Sequence, residues 1–362
     1  MSGLDEYLVH NNPLPIRAMW TSDPRAFERM WFGMFDKTGD LMIIAGIGFY
    51  PNLNTADAYA IVNHRGQHTT VRAQRMLGTN RMDMSVGPLK FQVVKPFEQW
   101  RLSLAENDHG ISFEIDWFDG AKRPEFVDRG DVSINLATYR PSSGYESFGQ
   151  QAGWVKINGE THVLTRGDFQ GSRDHHWGVR DNVGGPSFYP GPISRHIHTG
   201  EFVEFDDFAL FAKSIFYNEG DSRRTSDVRT AHRKLRFDPV TRLLQGGEAD
   251  VTFASGERKQ YTFERVGNQI GFLRCGMYGG FGGNSGTPEE DIWHGRFYGE
   301  LTITGETYDA NDPEVQMRIA GFDDCVARFE CDGEVAYGFT ETVHPGVYEA
   351  AVEGRNGLSL LE

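Results

Sequence analysis

One short stretch of the chain concentrates side chains that transfer or orient protons. It runs from Gly171 to Asp181 and reads Gly-Ser-Arg-Asp-His-His-Trp-Gly-Val-Arg-Asp. Histidine has an ordinary pKa of about 6.5, so a small shift makes it an acid or a base near neutral pH. A salt-bridged turn around a buried tryptophan would contain the same residue types, because ion-pair networks also gather them. We therefore expect the chemistry here, with a structural turn as the alternative.

The proton-transferring roles within this stretch follow from residue type. We expect His175 to act as the general acid or base and Asp174 or Asp181 to orient it. A tight turn would bring a carboxylate to an imidazole two residues away, which makes Asp174–His176 a second candidate pair. Tyr189, shortly after the stretch, is a candidate second proton donor. Which histidine faces a cavity stays open, because one residue of slip exchanges them.

The substrate-binding roles belong to arginines and aromatic residues. Arg173 or Arg180 would hold an oxygen of the substrate, and Trp177 would supply a flat wall for an apolar molecule, with core packing as the alternative for that ring. Three further residues are expected to line the same cavity: Tyr50, Phe188 and His294.

Metal and cofactor chemistry receive less support from the sequence. A zinc or iron site would draw on Asp174 and four histidines, namely His175, His176, His196 and His198, but no cysteine lies nearby and no HExxH pattern occurs. A βαβ pattern for a nucleotide is absent, and the residues around Ser285 do not form a nucleophile elbow. We expect neither a metal nor a cofactor.

Composition excludes several partners. The 362 residues include 36 Lys and Arg against 51 Asp and Glu, a net charge of −15, which disfavours nucleic acid and anionic membranes. No run of about 18 apolar residues predicts a membrane-spanning helix, and residues 1–12 do not resemble a signal peptide. Three unpaired-looking cysteines favour a reducing compartment. We expect a soluble, cytoplasmic protein that binds a hydrophobic small molecule, and a homodimer stays open.

The pattern of apolar residues and turns predicts an all-β protein with few short helices. Leu41–Tyr50 is an apolar run, and the dipeptides Asn158-Gly159 and Asp332-Gly333 each favour a β-hairpin turn. A short helix is expected after Pro24, in a position typical of a first helical turn. Two consecutive sets of antiparallel strands suggest two barrel-like units, over residues 1–185 and 186–362.

The motif around Asp174-His175-His176-Trp177-Gly178 resembles the Asp-His-x-Trp-Gly signature of the carotenoid 1,2-hydratase (hydroxyneurosporene synthase) and AttH-like superfamily, in its uncharacterised bacterial branch. The resemblance implies two tandem lipocalin-like β-barrel domains. It also implies an acid–base role for Asp174, His175 and Trp177, but none for His176. The tyrosine and carboxylate that relatives use beyond the motif have no evident match here, which leaves hydration of a carotenoid-like alkene in question.

The functional expectation is a cofactor-independent acid–base lyase or hydratase acting on a hydrophobic aromatic or isoprenoid-like molecule. The reaction would add or eliminate water, or cleave a carbon–carbon bond by a retro-aldol step; isomerisation or cyclisation is related chemistry. The alternative is a non-catalytic carrier of lipid or aromatic ligands, since a fold does not by itself imply catalysis. A structural, partner-binding protein would instead present exposed apolar patches.

Overall fold

The structure is a computed structural model. It describes residues 2–10, 21–123, 125–128, 141–180, 183–185, 196–217, 222–225, 228–239, 243–278, 292–343 and 358–360. Within these ranges almost every regular element is a β-strand, and the strands form two antiparallel sheets. The predicted all-β class is confirmed.

The first sheet is built mainly from the N-terminal half of the chain. Its strands in chain order are β1 (Ala26–Asp36), β2 (Leu41–Tyr50), β3 (Thr55–His64), β4 (Gln67–Met76), β5 (Ser85–Val86), β6 (Leu89–Lys95), β7 (Gln99–Leu104), β8 (Ile111–Asp119), β9 (Glu125–Asp128), β10 (Ser142–Ile157), β11 (Glu160–Leu164) and β12 (Phe169–Val179).

The second sheet is built from the C-terminal half. Its strands are β13 (His196–Glu204), β14 (Ala209–Tyr217), β15 (Ser222–Thr225), β16 (Val228–Phe237), β17 (Leu244–Phe253), β18 (Arg258–Phe272), β20 (Phe322–Cys331), β21 (Glu334–Val343) and β22 (Leu358–Leu360). Strand β19 (Leu301–Asp309) instead pairs with β4 at the edge of the first sheet. The expected boundary between residues 185 and 186 lies between β12 and β13 in the chain. Strand β19 comes after this boundary in sequence but belongs to the first sheet.

The helices of the described chain are short, as predicted. One α-helix, α1, spans Pro313–Ile319, and 3₁₀ turns span Gly3–Glu6, Pro51–Leu53 and Leu273–Cys275. Among the described residues, none of these helices has the length and apolar content needed to cross a membrane.

The apolar run Leu41–Tyr50 forms β2 with the predicted bounds. All ten of its residues are buried. The run lacks polar alternation because both faces of the strand are covered: Ile43 and Ile47 belong to the core of the first sheet, while Met42 and Ile44 pack in the cluster between the two sheets.

The two hairpin predictions are confirmed. Asn158 and Gly159 have φ of 48° and 89° between β10 and β11, and Asp332 and Gly333 have φ of 52° and 84° between β20 and β21. Positive φ at both central positions is the geometry of a type I′ turn.

The prediction of a helix after Pro24 is wrong. Residues Ala26–Asp36 form β1, a strand whose neighbours are β2 and β12. Its apolar side chains are compatible with a short helix, but ten of the eleven residues are buried because the strand lies in the middle of the sheet. Tertiary packing therefore overrides the local helix signal at this position.

Candidate functional site

The segment that carries the motif is strand β12, not the tight turn expected from its composition. It lies between β1 and β10, with Asp174 opposite Trp31 on one side and opposite Glu146 on the other. Side chains alternate along a strand. The motif is consequently split between two faces, because Arg173 and His175 point into the core of the first sheet while Asp174 points toward the second sheet.

Arg173 is fully buried on the inner face and is surrounded by acceptors. Its Nη2 lies 2.6 Å from Glu6 Oε1 and 2.6 Å from Asp119 Oδ2, and its Nη1 donates to Tyr145 Oη at 3.3 Å. Burial would raise the pKa of Asp119, but the Arg173 charge and hydrogen bond bring it below its ordinary value. The guanidinium expected to hold a substrate oxygen is therefore directed at two carboxylates of the protein.

His175 also lies on the inner face, where its partner is Glu28. Its Nε2 is 3.2 Å from Glu28 Oε1, and His10 Nδ1 is 2.7 Å from the same oxygen. Trp177 stacks on His10 with ring centroids 3.5 Å apart. We call His10, Glu28, His175 and Trp177 the inner cluster. Asp174 does not orient His175, because the two side chains lie on opposite faces of β12.

On the opposite face, Asp174 and His176 lie near each other, at a distance longer than a hydrogen bond. His176 Nε2 lies 3.7 Å from Asp174 Oδ2, and Arg29 Nη2 lies 3.8 Å from the same oxygen. The pair forms because residues i and i+2 of a strand share a face, and not through a turn. The face looks toward the second sheet.

A second carboxylate–imidazole pair lies on this face, far away in the sequence. His294 Nδ1 is 3.2 Å from Asp57 Oδ1. The Gly295 backbone N–H donates to Asp57 Oδ2 at 2.7 Å, and Tyr50 Oη donates to Asp57 Oδ1 at 3.3 Å. His294 Nε2 is buried and has no hydrogen-bond partner among the described residues. Asp57 thus holds one ring nitrogen and leaves the other available for proton transfer.

The positive charge on this face comes from two arginines, Arg29, which is buried, and Arg180, which is half-buried. Arg29 Nη1 donates to Tyr278 Oη, and the Arg180 guanidinium carbon lies 5.6 Å from the centroid of the Tyr278 ring. The rings of Tyr278 and His294 meet edge to face at a centroid distance of 4.4 Å. We call Arg29, Asp57, Tyr278 and His294, together with Asp174, His176 and Arg180, the inter-sheet cluster.

Burial sets the protonation states in the inter-sheet cluster. Burial lowers the pKa of His294, and the charges of Arg29 and Arg180 lower it further, although Asp57 acts in the opposite direction. Burial also raises the pKa of Tyr50 well above its ordinary value. At neutral pH the cluster accordingly contains a neutral imidazole and a neutral phenol beside cationic guanidinium groups.

Two glycines of β2 provide room for the tyrosine rings. A Cβ at Gly46 would lie 2.6 Å from the Tyr59 ring, and a Cβ at Gly48 would overlap the Tyr50 hydroxyl. Both glycines lie on the face of β2 that looks toward the second sheet, next to Tyr59 and Asp57 of β3.

The cluster borders a small cavity whose lining mixes aromatic and charged side chains, including the carboxylates of Glu146 and Glu341. This cavity of about 10 Å³, roughly the room that one water molecule needs, lies among Arg29, Asp174 and Trp31 of the first sheet and Phe202 and Phe322 of the second. A larger substrate must therefore displace side chains at this point.

The predicted site residues are divided by the fold. Asp174, His176, Arg180 and His294 lie in the inter-sheet cluster, and Tyr50 lies beside it through its hydrogen bond to Asp57. Arg173, His175 and Trp177 lie on the inner side. Asp181, Phe188 and Tyr189 lie outside the described residues, and for His196 and His198 only the backbone of β13 is described.

Sequence reasoning missed five residues that the fold brings to these sites: His10, Glu28, Arg29, Asp57 and Tyr278. Glu28 and Arg29 lie in the segment assigned to a helix, which concealed the alternation that places them on opposite faces of β1. Asp57 interrupts the otherwise apolar alternation of β3, and a carboxylate at a buried strand position was an available signal. The sequence contained no comparable signal for His10.

Comparison with solved structures finds two chains that are similar over most of their length. A structure assigned as an AttH protein from Nitrosomonas europaea matches with a TM-score of 0.50 and 13% identity, covering 90% of this chain and 94% of the other. Kievitone hydratase from Nectria haematococca matches with a TM-score of 0.42 and 10% identity, covering 89% and 90%. The search of curated proteins found no match.

The fold defines an all-β protein of two tandem lipocalin-like units, and the predicted resemblance to AttH-like proteins is confirmed at the level of the fold. The chain belongs to a family of unknown function (DUF8625), which matches residues 1–352.

Proposed function

We propose that the protein is an acid–base lyase or hydratase whose catalytic residues lie in the inter-sheet cluster. The observation that carries this proposal is His294, whose Nδ1 is held by Asp57 while its buried Nε2 has no partner among the described residues. An imidazole oriented by a carboxylate is the usual arrangement of a general base. His175 has a similar arrangement, with Nε2 held by Glu28 and a buried Nδ1 that has no partner among the described residues. We assign the base to His294 because a phenol and two guanidinium groups lie beside it.

The reaction type follows from the groups that surround His294. In an elimination, Nε2 takes a proton from a carbon of the substrate, and the C–H electron pair forms the double bond. The hydroxyl on the neighbouring carbon leaves as water with a proton supplied by Tyr278, which the protonated His294 replaces. The reverse sequence adds water to a double bond. In a retro-aldol cleavage, Nε2 takes the hydroxyl proton and the O–H electron pair forms a new carbonyl. The C–C electron pair passes to the carbon next to the existing carbonyl, and that carbon then takes the proton back from His294.

The substrate class follows from the walls and the charge. Trp31, Phe202 and Phe322 favour an apolar, aromatic or isoprenoid-like body. Arg29 and Arg180 favour an oxygen-bearing group at one end, since buried guanidinium groups bind carbonyl, phenolate or carboxylate oxygens. Side chains alone supply acid and base, so the proposed chemistry proceeds without a cofactor.

The test compares His294→Gln with His175→Ala. Each purified variant is incubated with a panel of aromatic and isoprenoid alcohols, alkenes and β-hydroxy carbonyl compounds, and mass spectrometry follows gain or loss of water or formaldehyde. We expect His294→Gln to lower turnover by about 10²–10⁴-fold, the usual contribution of a positioned base. His175→Ala is expected to retain turnover, and the half-exposed His162 serves as a control when changed to Ala.

Loss of turnover in His175→Ala with normal turnover in folded His294→Gln would contradict the proposed site and move the chemistry to the inner cluster. Circular dichroism of each variant confirms that it is folded.

A carrier function is the second candidate, and one observation favours it. An open pocket of about 340 Å³ lies beside the second sheet, lined by Phe208, Phe253, Lys122 and Arg123. That volume falls in the range of small-molecule sites, and a lining of two phenylalanines with two cations and the Glu257 carboxylate suits an amphiphile. A carrier would bind a fluorescent fatty acid there, would lose that binding in Phe253→Asp, and would turn over nothing in the panel.

A further inference from the structure

The inner cluster contains three groups whose ligand atoms converge. His10, Glu28 and His175 each offer one atom, and these atoms all lie within 4.8 Å of one another. Glu28 and His175 are buried, and the side chain of His10 is 10% exposed. The three residues come from the N-terminal segment, β1 and β12, so only the tertiary structure brings them together.

The types and spacing of these ligands suit a transition metal. Two imidazoles and one carboxylate are the set that binds zinc, iron, cobalt or nickel, whereas calcium and magnesium prefer oxygen ligands alone. Metal–ligand bonds of about 2.0–2.1 Å in a tetrahedral site place the ligand atoms roughly 3.3 Å apart. The Glu28 oxygen already lies 2.7 Å from His10 Nδ1 and 3.2 Å from His175 Nε2. Small side-chain shifts are enough to admit an ion.

The surroundings of His10 resemble those of a metal-bound histidine. Its Nδ1 faces Glu28, while its Nε2 lies 3.4 Å from Asp5 Oδ1. A carboxylate on the far nitrogen of a ligating imidazole fixes its tautomer and raises its basicity. Trp177 stacks on the ring and restrains its orientation.

Glu28 is suited to bind as a carboxylate. Burial alone would raise its pKa, but the hydrogen bonds and charges of His10 and His175 bring the pKa of Glu28 below its ordinary value. The imidazoles of His10 and His175 both point at this buried carboxylate, at 2.7 and 3.2 Å from its Oε1, so the three ligands are already positioned around one point.

We propose that His10, Glu28 and His175 bind one divalent transition-metal ion, which attaches the N-terminal segment to the first sheet. The site differs from the metal candidates suggested by the sequence, with which it shares His175 alone, and it revises the expectation that the protein binds no metal. It lies on the opposite face of β12 from the inter-sheet cluster, so its role is independent of the proposed function.

The test titrates chelator-treated protein with Co²⁺ and, separately, Zn²⁺. We expect one ion per chain, visible ligand-field absorption for Co²⁺, and weakening of binding as pH falls from about 7 to 5, where histidine takes up protons. Glu28→Gln and His10→Ala should each weaken binding by at least tenfold. The His64 and His162 rings form another histidine pair, 4.6 Å apart, and His162→Ala is the matched control that should leave binding unchanged.

Absence of stoichiometric binding by the wild-type protein would overturn the proposal, and so would unchanged binding in folded Glu28→Gln and His10→Ala. Loss of binding only in His162→Ala would assign the ion to that surface pair and would equally overturn it. Turnover by metal-free protein tests the proposed function separately, because that chemistry requires His294 and no ion.

Discussion

The two faces of β12 place neighbouring residues of the motif in different surroundings. On the inner face, the Arg173 guanidinium is directed at Glu6 and Asp119, and His175 is directed at Glu28. On the other face, His294 is directed at Asp57 and lies beside the Tyr278 ring. Each of the two histidines has one ring nitrogen held by a carboxylate and a second, buried nitrogen without a partner among the described residues. The faces therefore differ in what surrounds the imidazole: the inner face adds an ion-paired arginine, and the other face adds a phenol and two guanidinium groups.

Asp57→Asn gives the sharpest test of the inter-sheet face. We expect the catalytic efficiency kcat/KM to fall by about 10²–10⁴-fold, because the amide no longer orients the imidazole of His294 or stabilises its protonated form. The measurement is the dependence of kcat/KM on pH.

The direction of the pH effect in Asp57→Asn follows from the pKa of His294. A base loses activity as pH falls through its pKa, and burial places the pKa of His294 below its ordinary value of 6.5. Asp57 raises that pKa, so its removal should move the acid limb to still lower pH. An acid limb that stays in place would contradict the assignment of His294 as the base.

Arg173→Met tests the inner face. Removing the cation leaves Glu6 and Asp119 buried without their partner, and breaking a buried ion pair in this way costs about 3–5 kcal/mol. The free energy of unfolding in denaturant measures the loss. The exposed Arg101–Asp116 pair is the matched control, and Arg101→Met should cost no more than about 1 kcal/mol.

The same Arg173 variant also decides between a structural and a substrate-binding role. We expect the protein that remains folded to keep its KM. A raised KM with unchanged stability would restore the role in substrate binding expected from the sequence.

Gly48→Ala has the smallest expected effect and tests the packing behind the inter-sheet cluster. The added methyl group overlaps the Tyr50 hydroxyl, and overpacking of this kind costs about 1–3 kcal/mol. Displacement of Tyr50 should lower kcat/KM in addition. Gly271→Ala crowds Ile44 and Met42 between the same two sheets and is the matched control, in which stability falls while the kcat/KM of folded protein is retained. Equal effects of both variants on kcat/KM would contradict a specific role for Tyr50.

Local sequence patterns were sufficient for the fold class. The Asn158-Gly159 dipeptide determines its hairpin because few other residues adopt two consecutive positive φ angles. The run Leu41–Tyr50 predicted a buried strand because its unbroken apolar composition is the local signal of a strand covered on both faces. The prediction of a helix after Pro24 was wrong because the segment's helix propensity is weak compared with the burial that it gains as a strand in the centre of the sheet.

The motif drew attention to strand β12, but it could not say which residues contact each other. Asp174 and His176 are two positions apart and meet through strand alternation, which the sequence contains. His294 and Asp57 are 237 positions apart, and Tyr50 is the only one of their partners that composition suggested.

The sequence by itself thus determined the all-β class, the strand Leu41–Tyr50 and the two hairpin turns, because these depend on interactions among near neighbours. The tertiary structure alone decided which face each motif residue occupies, that Glu28 rather than Asp174 pairs with His175, and that Asp57 orients His294. Those outcomes depend on strand order and on the packing of one sheet against the other, which bring together residues with no local relation in the chain.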